Sequence, residues 1–182
     1  MKFLELAIKG LYQIELTPHE DERGFFARSW CALEFEKAGL SNSLLQCNIS
    51  FNIKKGTLRG LHFQTAPHEE DKLVRCTKGK IFDVAVDLRP TSSSFGKWYG
   101  TELSADNHLA LYIPKGFAHG FQTLEENSEV FYQMGEVYHP ESQAGLHWQD
   151  GDINIQWPIA EPFVSSKDQS HPRLKQLELN KR

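Results

Sequence analysis

The sequence contains little cysteine, and its few cysteines form no recognisable motif. Among the 182 residues the cysteines are Cys31, Cys47 and Cys76. Their number is odd, and none of them has the C-x-x-C spacing of zinc ribbons or thiol oxidoreductases. This pattern favours reduced thiols, so we expect a cytoplasmic protein.

Blocks of positive charge and long apolar runs are also missing. The 20 Lys and Arg residues are outnumbered by 24 Asp and Glu residues, which gives a net charge of −4. Without a basic stripe to neutralise phosphates, general binding to nucleic acid or to a membrane surface is not expected. Residues 1–5 carry charges where a signal peptide has its apolar core, and no stretch approaches the length of a membrane span. A bound nucleotide is still compatible with this composition, because it needs only two or three local cations.

Short runs of Val, Ile, Phe and Tyr, separated by Gly, Pro, Asn and Asp, predict an all-β protein. The length suits one domain, which we place over residues 1–182. The predicted strands are 11–16, 25–30, 46–52, 57–63, 73–76, 81–88, 98–103, 110–113, 121–123 and 129–136. One helix is predicted over 32–38, closed by Gly39, and the polar last twenty residues are expected to wrap the surface. A double-sheet jelly roll suits this many short antiparallel strands, and its open mouth lets side chains converge on a small ligand.

Two stretches that contain histidine are candidates for chemistry. In RGLHFQ (59–64), regular alternation would place Arg59 with Leu61 on one face and His62 on the other, unless a bulge intervenes. A lone histidine is often structural, but the glycine before His62 indicates a close backbone approach and favours function. The second stretch, PKGFAHGF (114–121), ends a Pro-x-Gly-x-x-His pattern at His119.

Both stretches have cupin spacing, which raises the alternative of a metal site. A metal cupin would have a second histidine where Gln64 stands. It would also need a carboxylate, for which Glu69 and Glu70 are the nearest candidates. Two imidazoles and an uncertain carboxylate make a poor transition-metal site, since such sites normally have three firm protein ligands. We therefore predict that no metal is bound.

Motifs along nearly the whole chain resemble the dTDP-4-dehydrorhamnose 3,5-epimerase family. In family order and spacing they are DERGFF (21–26), LRGLHFQ (58–64), KLVR (72–75), GKIFDVAVD (79–87), FGKW (95–98), IPKGFAHGF (113–121), residues 152–158 and SKD (166–168). The resemblance implies a cupin-type jelly roll (a double-stranded β-helix) and a homodimer built by strand exchange. It also implies that the substrate is a nucleotide-diphospho-4-keto-6-deoxyhexose, which is epimerised beside its C4 ketone without a cofactor.

The resemblance further implies roles for individual residues around the ketone. His62 matches the base that removes a proton from C3 or C5, and Asp168 matches the carboxylate that orients this base. Tyr132 matches the acid that returns a proton to the opposite face. Lys72 would stabilise the oxyanion that develops at O4, and His119 would contact the sugar or a phosphate.

Other positions match the part of the family site that binds the nucleotide. Arg23 and Arg59 match ligands of the pyrophosphate, because guanidinium forks suit phosphate oxygens. Phe26 and Tyr138 resemble the aromatic pair that stacks on the base. The remaining matched binding positions are Gln46, Asn48 and Lys167.

Three positions depart from the family pattern near the expected base pocket. Arg28 and Gln143 each stand where the family commonly has Glu, and Cys47 interrupts the family's Gln-Asp-Asn. Thymine has an N3–H donor that a carboxylate accepts, whereas cytosine presents acceptors that an arginine satisfies. These identities leave both a dTDP-sugar and a CDP-sugar open. Gln133, often Lys in relatives, also leaves the chemistry beside Tyr132 open.

The leading hypothesis is 3,5-epimerisation of a dTDP-linked sugar, and three alternatives stand beside it. An epimerase acting at C3 or C5 alone, including one for a CDP-sugar, would need the same residues. A metal-dependent cupin dioxygenase is the second alternative, against which Gln64 argues. A non-catalytic sugar-binding cupin is the third; binding alone would not need an acid such as Tyr132 opposite a base such as His62.

Overall fold

The computed structural model describes residues 1–177, most of which belong to two facing β-sheets and their connections. The first sheet has six antiparallel strands. In spatial order they are Lys2–Glu5 (β1), Tyr12–Glu15 (β2), Ala110–Ile113 (β10), Lys72–Lys78 (β7), Ser128–Met134 (β12) and Gln46–Asn52 (β5). Strand β5 therefore lies at one edge of this sheet.

The second sheet faces the first. In spatial order its strands are Gln143–Gly145 (β13), Thr57–Gln64 (β6), Phe117–Thr123 (β11), Lys80–Asp87 (β8) and Trp98–Ser104 (β9). A short strand, Phe163–Val164 (β14), pairs with β6 in the parallel direction. Apart from β8 and β9, neighbouring strands of this sheet are not consecutive in the chain, so the order is crossed as in a jelly roll. The predicted all-β jelly-roll fold is confirmed.

The other regular elements lie outside the two sheets. His19–Asp21 (β3) and Gly24–Phe26 (β4) form a separate two-stranded hairpin. The α-helices of the described residues are Ala32–Lys37 (α1) and Ser166–Gln169 (α2). Gly39 follows α1 with a φ of +73°, the left-handed conformation expected of a glycine that ends a helix. Among residues 1–177, no helix has the length and apolar character needed to cross a membrane.

The main core fills the space between the sheets. Val74 and Val130 of the first sheet belong to the same buried cluster as Ala85 and Phe121 of the second. The second sheet also buries its outer face, where Val84 belongs to a separate cluster. Burial of each Val or Phe side chain in these clusters stabilises the fold by about 1.5–3 kcal/mol. Because strands such as β8 are covered on both sides, they read as nearly continuous apolar runs in the sequence.

All ten predicted strands overlap strands of the structure, and the differences are local. The predicted strand 25–30 stops at Phe26, and the chain then runs irregularly into α1. The sequence did not indicate β1, β3, β13, β14 or α2. These elements are two to four residues long, too short to show a period, and β13 and β14 are strands because they pair with β6. The single domain over 1–182 and the path of the last twenty residues stay predictions, since 178–182 lie outside the described residues.

Candidate active site

An open cleft lies where one end of the two sheets meets, between β5, β7 and β12 on one side and β6 and β13 on the other. Its volume is about 150 Å³. The cleft is lined by Gln46, Asn48, His62, Phe63, Gln64, Glu70, Lys72, Met134, Glu136, Val137, Tyr138 and Gln143. Residues that are far apart in the sequence therefore converge here, including six of the predicted site residues.

A bulge in β6 turns Arg59 and His62 to the same face. His62 pairs with His119 of β11. Arg59 pairs with Phe121, so three steps along β6 oppose two along β11. His119 and Phe121 share a face of their strand, and cross-strand partners share it with them. Regular alternation, which would have separated Arg59 from His62, does not hold because of this bulge.

Gly60 allows β6 and β11 to approach closely at the bulge. Its φ is +130°, and a Cβ there would lie 2.6 Å from Cα of Gly120 and 2.9 Å from the carbonyl oxygen of His119. No side chain fits in that space. The Gly60 N–H donates a hydrogen bond to Oδ2 of Asp168 at 3.3 Å. The glycine beside the histidine therefore serves a close backbone approach, as the sequence indicated.

His62 and Asp168 form a hydrogen-bonded pair at the cleft. Oδ1 of Asp168 lies 2.7 Å from Nε2 of His62. Asp168 sits in the first turn of α2, where its N–H donates to Oγ of Ser165 at 3.1 Å. Burial opposes ionisation of Asp168, but the hydrogen bond and charge of His62 and the N–H of Gly60 outweigh it and lower the pKa of the carboxyl. Asp168 is therefore a carboxylate at neutral pH.

His171 belongs to the same cluster and was not predicted. Its Nε2 lies 3.5 Å from Oδ1 of Asp168, and its ring meets that of His62 edge-on, with 5.6 Å between centroids. Burial lowers the pKa of His171, and the nearby His62 lowers it further, so His171 is neutral at pH 7. The sequence offered only a three-residue spacing from Asp168 within a polar segment, which is too weak a pattern to single it out.

A second histidine–carboxylate pair lies deeper in the barrel. Nε2 of His119 is 2.8 Å from Oδ1 of Asp83, and both side chains are buried. Oδ2 of Asp83 has no hydrogen-bond partner among the described residues. Asp83 lies in the GKIFDVAVD motif and was not singled out, although a carboxylate in the middle of an apolar strand was the available signal.

Tyr132 of β12 reaches this pair from the opposite sheet. Its ring meets the His119 ring edge-on, with 5.8 Å between centroids. Burial raises the pKa of Tyr132, and the charge of Asp83 raises it further, whereas the charge of Arg59 lowers it. The phenol therefore stays protonated at neutral pH and has a proton to donate.

Lys72 places its ammonium group directly beside the histidine backbone. Its Nζ donates to the carbonyl oxygen of His62 at 3.2 Å and lies 2.9 Å from Oε1 of Glu70. Both the Lys72 and the Glu70 side chains are buried, at 7% and 5% exposure. The sequence considered Glu70 only as a metal ligand, whereas the structure pairs it with a lysine.

The rim of the cleft is built from amides, a tyrosine and a lysine. The Tyr138 hydroxyl donates to Oε1 of Gln143 at 2.7 Å, and Nζ of Lys167 donates to the same oxygen at 2.9 Å. The Tyr138 N–H donates to Oε1 of Gln46 at 3.1 Å. The Gln46 amide in turn donates to Oδ1 of Asn48 at 3.1 Å. The structure thus brings five predicted binding residues together at one rim.

Strand β5 points its polar and apolar side chains to opposite faces. Gln46 and Asn48 line the cleft, and Oδ1 of Asn52 accepts a hydrogen bond from Nε of Arg59 at 2.7 Å. Cys47 lies on the other face, where it is exposed. The departure at Cys47 therefore does not change the lining of the cleft.

Gln64 stands where a metal cupin would have a ligand, and it has a structural role. Its amide donates to the carbonyl oxygens of His68 and Val137 at 2.8 and 3.1 Å. Its oxygen accepts the N–H of His139 at 2.6 Å. These bonds hold the segment that carries Tyr138 against β6.

Three predicted binding residues lie away from the cleft of their own chain. Arg23 pairs with Asp21 in the hairpin, 2.6 Å apart and largely exposed. Phe26, at the end of the same hairpin, is 78% exposed and does not meet Tyr138 to form an aromatic pair. Arg28 contacts Glu34 of α1 at 2.8 Å. None of the three lines the cleft of its own chain, and their contacts with the base stay predictions.

Among residues 1–177, two groups of side chains have the composition of a metal site. In each, the potential ligand atoms lie within 4.8 Å of one another: His62, Asp168 and His171 in one, and His68, His139 and Glu141 in the other. In the first group Nε2 of His62 already bonds Asp168. In the second the imidazoles of His68 and His139 stack in parallel, 3.4 Å apart at 12°, so their lone pairs do not converge on one point. Neither arrangement is a ready three-ligand site.

Comparison with known proteins identifies the family. The family profile of dTDP-4-dehydrorhamnose 3,5-epimerase matches residues 5–176. A dTDP-4-dehydrorhamnose 3,5-epimerase of Shigella flexneri is 48% identical over 169 residues, which cover 92% of this chain and 93% of the relative.

Solved structures give the same result. The crystal structure of dTDP-4-dehydrorhamnose 3,5-epimerase from Elizabethkingia anophelis superposes with a TM-score of 0.93 at 44% identity, covering 96% of this chain and 97% of the other. That of dTDP-6-deoxy-D-glucose-3,5-epimerase from Legionella pneumophila, in complex with dTDP-4-keto-L-rhamnose, superposes with a TM-score of 0.91 at 39% identity, covering 97% and 94%. With this fold, these motifs and these similarities, the chain belongs to the dTDP-4-dehydrorhamnose 3,5-epimerase family of isomerases.

Proposed function

We propose that this epimerase converts dTDP-4-dehydro-6-deoxy-D-glucose to dTDP-4-dehydro-L-rhamnose by moving protons at the carbons beside the C4 ketone. The observation that carries the proposal is the pairing of His62, on one sheet, with Asp168 of α2, while the protonated Tyr132 lies on the opposite sheet. Epimerisation needs a base on one face of the sugar and an acid on the other. A cleft with its walls on different sheets provides that separation.

His62 acts as the base. The carboxylate of Asp168 accepts the Nε2–H of His62, which leaves Nδ1 unprotonated and able to take a proton from C3 or C5. When the imidazole becomes a cation, the same carboxylate stabilises it. Removal of the proton also forms an enolate with negative charge at O4. Lys72 stabilises this enolate, because its ammonium group lies beside the His62 carbonyl and can donate to the O4 oxyanion.

Tyr132, on the sheet opposite His62, is proposed to return a proton to the enolate. Its buried phenol keeps the proton until a strongly basic carbon is generated nearby. His119 lies between the two groups, paired with His62 across the strands and in ring contact with Tyr132. In this proposal the sugar ring binds between His62 and Tyr132, close to His119.

The nucleotide is proposed to be dTDP. The case for cytosine rested on Arg28 and Gln143, and the guanidinium of Arg28 is already paired with Glu34. At the rim, Oε1 of Gln143 already accepts from Tyr138 and Lys167. The structural relative from Legionella pneumophila was solved with a dTDP-sugar, which supports the same nucleotide here.

A homodimer is proposed from the outer face of β5. This strand lies at the edge of its sheet, and its outward side chains include Ile49 at 65% and Phe51 at 47% exposure. Leu45 and Ile53 on either side are also exposed. An apolar edge strand of this kind is normally covered by a partner. We propose that the hairpin of this second copy, with Arg23 and Phe26, completes a cleft that does not contain them in its own chain.

A cytoplasmic location is proposed on the free thiols. The three cysteines of the chain are unpaired in the structure, and Cys47 is exposed. Unpaired exposed thiols persist in reducing compartments.

Proton NMR in deuterium oxide tests the activity directly. The purified protein is incubated with dTDP-4-keto-6-deoxyglucose and, in parallel, with its CDP counterpart. We expect deuterium at both C3 and C5 of the dTDP-sugar and slower exchange with the CDP-sugar. Exchange at one carbon only would show a mono-epimerase, and no exchange with either sugar would refute the proposal.

A further inference from the structure

The ion pair between Glu70 and Lys72 differs from the other lysine salt bridges of the described residues. Oε1 of Glu70 lies 2.9 Å from Nζ of Lys72, and the two side chains are 5% and 7% exposed. The surface pair of Lys175 with Asp152, by contrast, has side chains 80% and 46% exposed. Glu70 lines the cleft two residues before Lys72, which is the first residue of β7.

Stability alone does not account for this pair. Burying two charges costs several kcal/mol per ion, and their attraction repays it only when the remaining polar atoms are satisfied. Oε2 of Glu70 is buried without a hydrogen-bond partner among the described residues. An unmet acceptor of this kind costs about 1–3 kcal/mol. A charge pair retained at such a cost, in the wall of the cleft, points to a role in the reaction.

The geometry indicates what that role is. The ammonium group of Lys72 has three N–H donors. One donates to the His62 carbonyl oxygen at 3.2 Å, and a second points to Glu70 at 2.9 Å. These two acceptors hold the long, flexible Lys72 side chain in one position, and its third N–H is free to donate to a ligand. Without Glu70, a single backbone bond would hold the ammonium group.

We propose that Glu70 is a positioning residue, which fixes the Lys72 ammonium group so that its third donor meets the oxyanion formed at O4. The proposal rests on the proposed function, because it requires an enolate in this cleft. Lys72 is the residue that would touch the reacting atoms, and Glu70 acts through it. A donor displaced by about 1 Å from the developing charge can cost about a hundredfold in rate.

A double-mutant cycle tests this role. Glu70→Ala is expected to lower kcat about a hundredfold with the dTDP-sugar, while the dissociation constant of dTDP changes less than about twofold. Glu70→Gln keeps an acceptor oxygen and should restore kcat to within about tenfold of the wild type. In a Lys72→Ala background, Glu70→Ala should have no further effect, because the group that it positions is gone.

Asp71 provides a matched control. It is a neighbouring buried carboxyl group, but it packs near Ser41 and Tyr112 and does not line the cleft. Asp71→Asn should leave kcat within about twofold in both backgrounds, whatever it does to the melting temperature. If Glu70→Ala does not fold, as dTDP binding will show, the cycle is run with Glu70→Gln and Lys72→Ala. The smaller decrease in kcat caused by Glu70→Gln must likewise disappear in the Lys72→Ala background.

Two results would overturn the proposal. One is a Glu70→Ala protein with the kcat of the wild type. The other is an equal loss from a Glu70 variant in the presence and absence of Lys72, which would show that Glu70 acts independently. A wild-type protein with no activity on the dTDP-sugar would refute the proposed function instead, so the two failures are distinguishable.

Discussion

Nε2 of His62 and Oδ1 of Asp168 lie 2.7 Å apart, although 106 residues separate them in the chain. The contact forms because β14 pairs with β6 and brings α2 against β6 at the bulge. Asp168 is buried and held by the N–H of Gly60, so it presents a fixed acceptor to the imidazole. The position of His62 therefore depends on a residue near the end of the chain.

Replacing His62 should remove exchange while leaving nucleotide binding intact. A general base contributes about 10²–10⁴-fold to the rate, so His62→Ala should lower deuterium incorporation by at least this factor. The dissociation constant of dTDP, measured by calorimetry, should change little, because His62 lies at the sugar end of the proposed site. Exchange at the wild-type rate in His62→Ala would show that another group is the base.

Asp168→Asn should impair exchange less than His62→Ala, because the imidazole remains but loses its orienting carboxylate. The same variant gives a prediction for pH. The pKa of Asp168 is lowered in the folded protein, so its ionised form stabilises the fold at pH values above the ordinary Asp pKa of about 3.9. This stabilisation is lost as the pH falls further, through the lowered pKa of the folded state.

Urea unfolding at several pH values checks this second expectation. The difference in unfolding free energy between wild type and Asp168→Asn should be largest above about pH 5 and should shrink below about pH 4. Asp106→Asn, at an exposed turn, is the control and should show little difference at any pH. A difference for Asp168→Asn that stayed constant down to pH 2 would contradict the assigned charge of Asp168.

The sequence predicted the fold well because the long strands carry their own signal. Residues 46–52 and 110–113 were predicted with the bounds that the structure has. The site was harder to predict because it depends on local irregularity. A bulge in β6 reverses the expected face of Arg59, and no periodic pattern reveals a bulge. His171 and Asp83 become visible only when distant segments meet, since the signal of each within its own segment is weak.

Dialysis against a chelator should not change the exchange rate. Lys72 is proposed to supply the positive charge at O4, so no divalent ion is needed in the mechanism. We expect less than about a twofold change after prolonged treatment with EDTA, with metal content followed by mass spectrometry. Loss of activity that returned with a divalent ion would instead favour a metal at His62, Asp168 and His171.

A charge on the outer face of β5 should separate the proposed homodimer. Ile49→Lys places an ammonium group in the middle of the exposed apolar strand, where a partner would have to desolvate it. We expect the variant to be monomeric by sedimentation at concentrations where the wild type is a dimer. Leu33→Lys is a matched control, because Leu33 is equally exposed, at 66%, but lies on α1. A monomeric wild type would refute this interface.

Mixing two inactive variants should restore activity if the hairpin of one subunit completes the cleft of the other. Arg23 lies outside its own cleft, whereas His62 lies within it. In a dimer of one Arg23→Ala chain and one His62→Ala chain, one cleft would lack both groups and the other would have both. Random exchange in an equal mixture makes half of the dimers mixed, so about a quarter of all clefts become competent.

Co-expression of the two chains, followed by the deuterium exchange assay, measures this recovery. We expect each variant alone to be strongly impaired and the mixture to reach about a quarter of wild-type activity. Asp168→Asn mixed with His62→Ala is the control, because both residues serve the same cleft and no mixed dimer can have a complete pair. Recovery in the first mixture but not in the second would place Arg23 in the partner's cleft. If the first mixture stayed as inactive as its components, Arg23 would have to act in the cleft of its own chain. The exposed hairpin would reach that cleft only by moving from its present position.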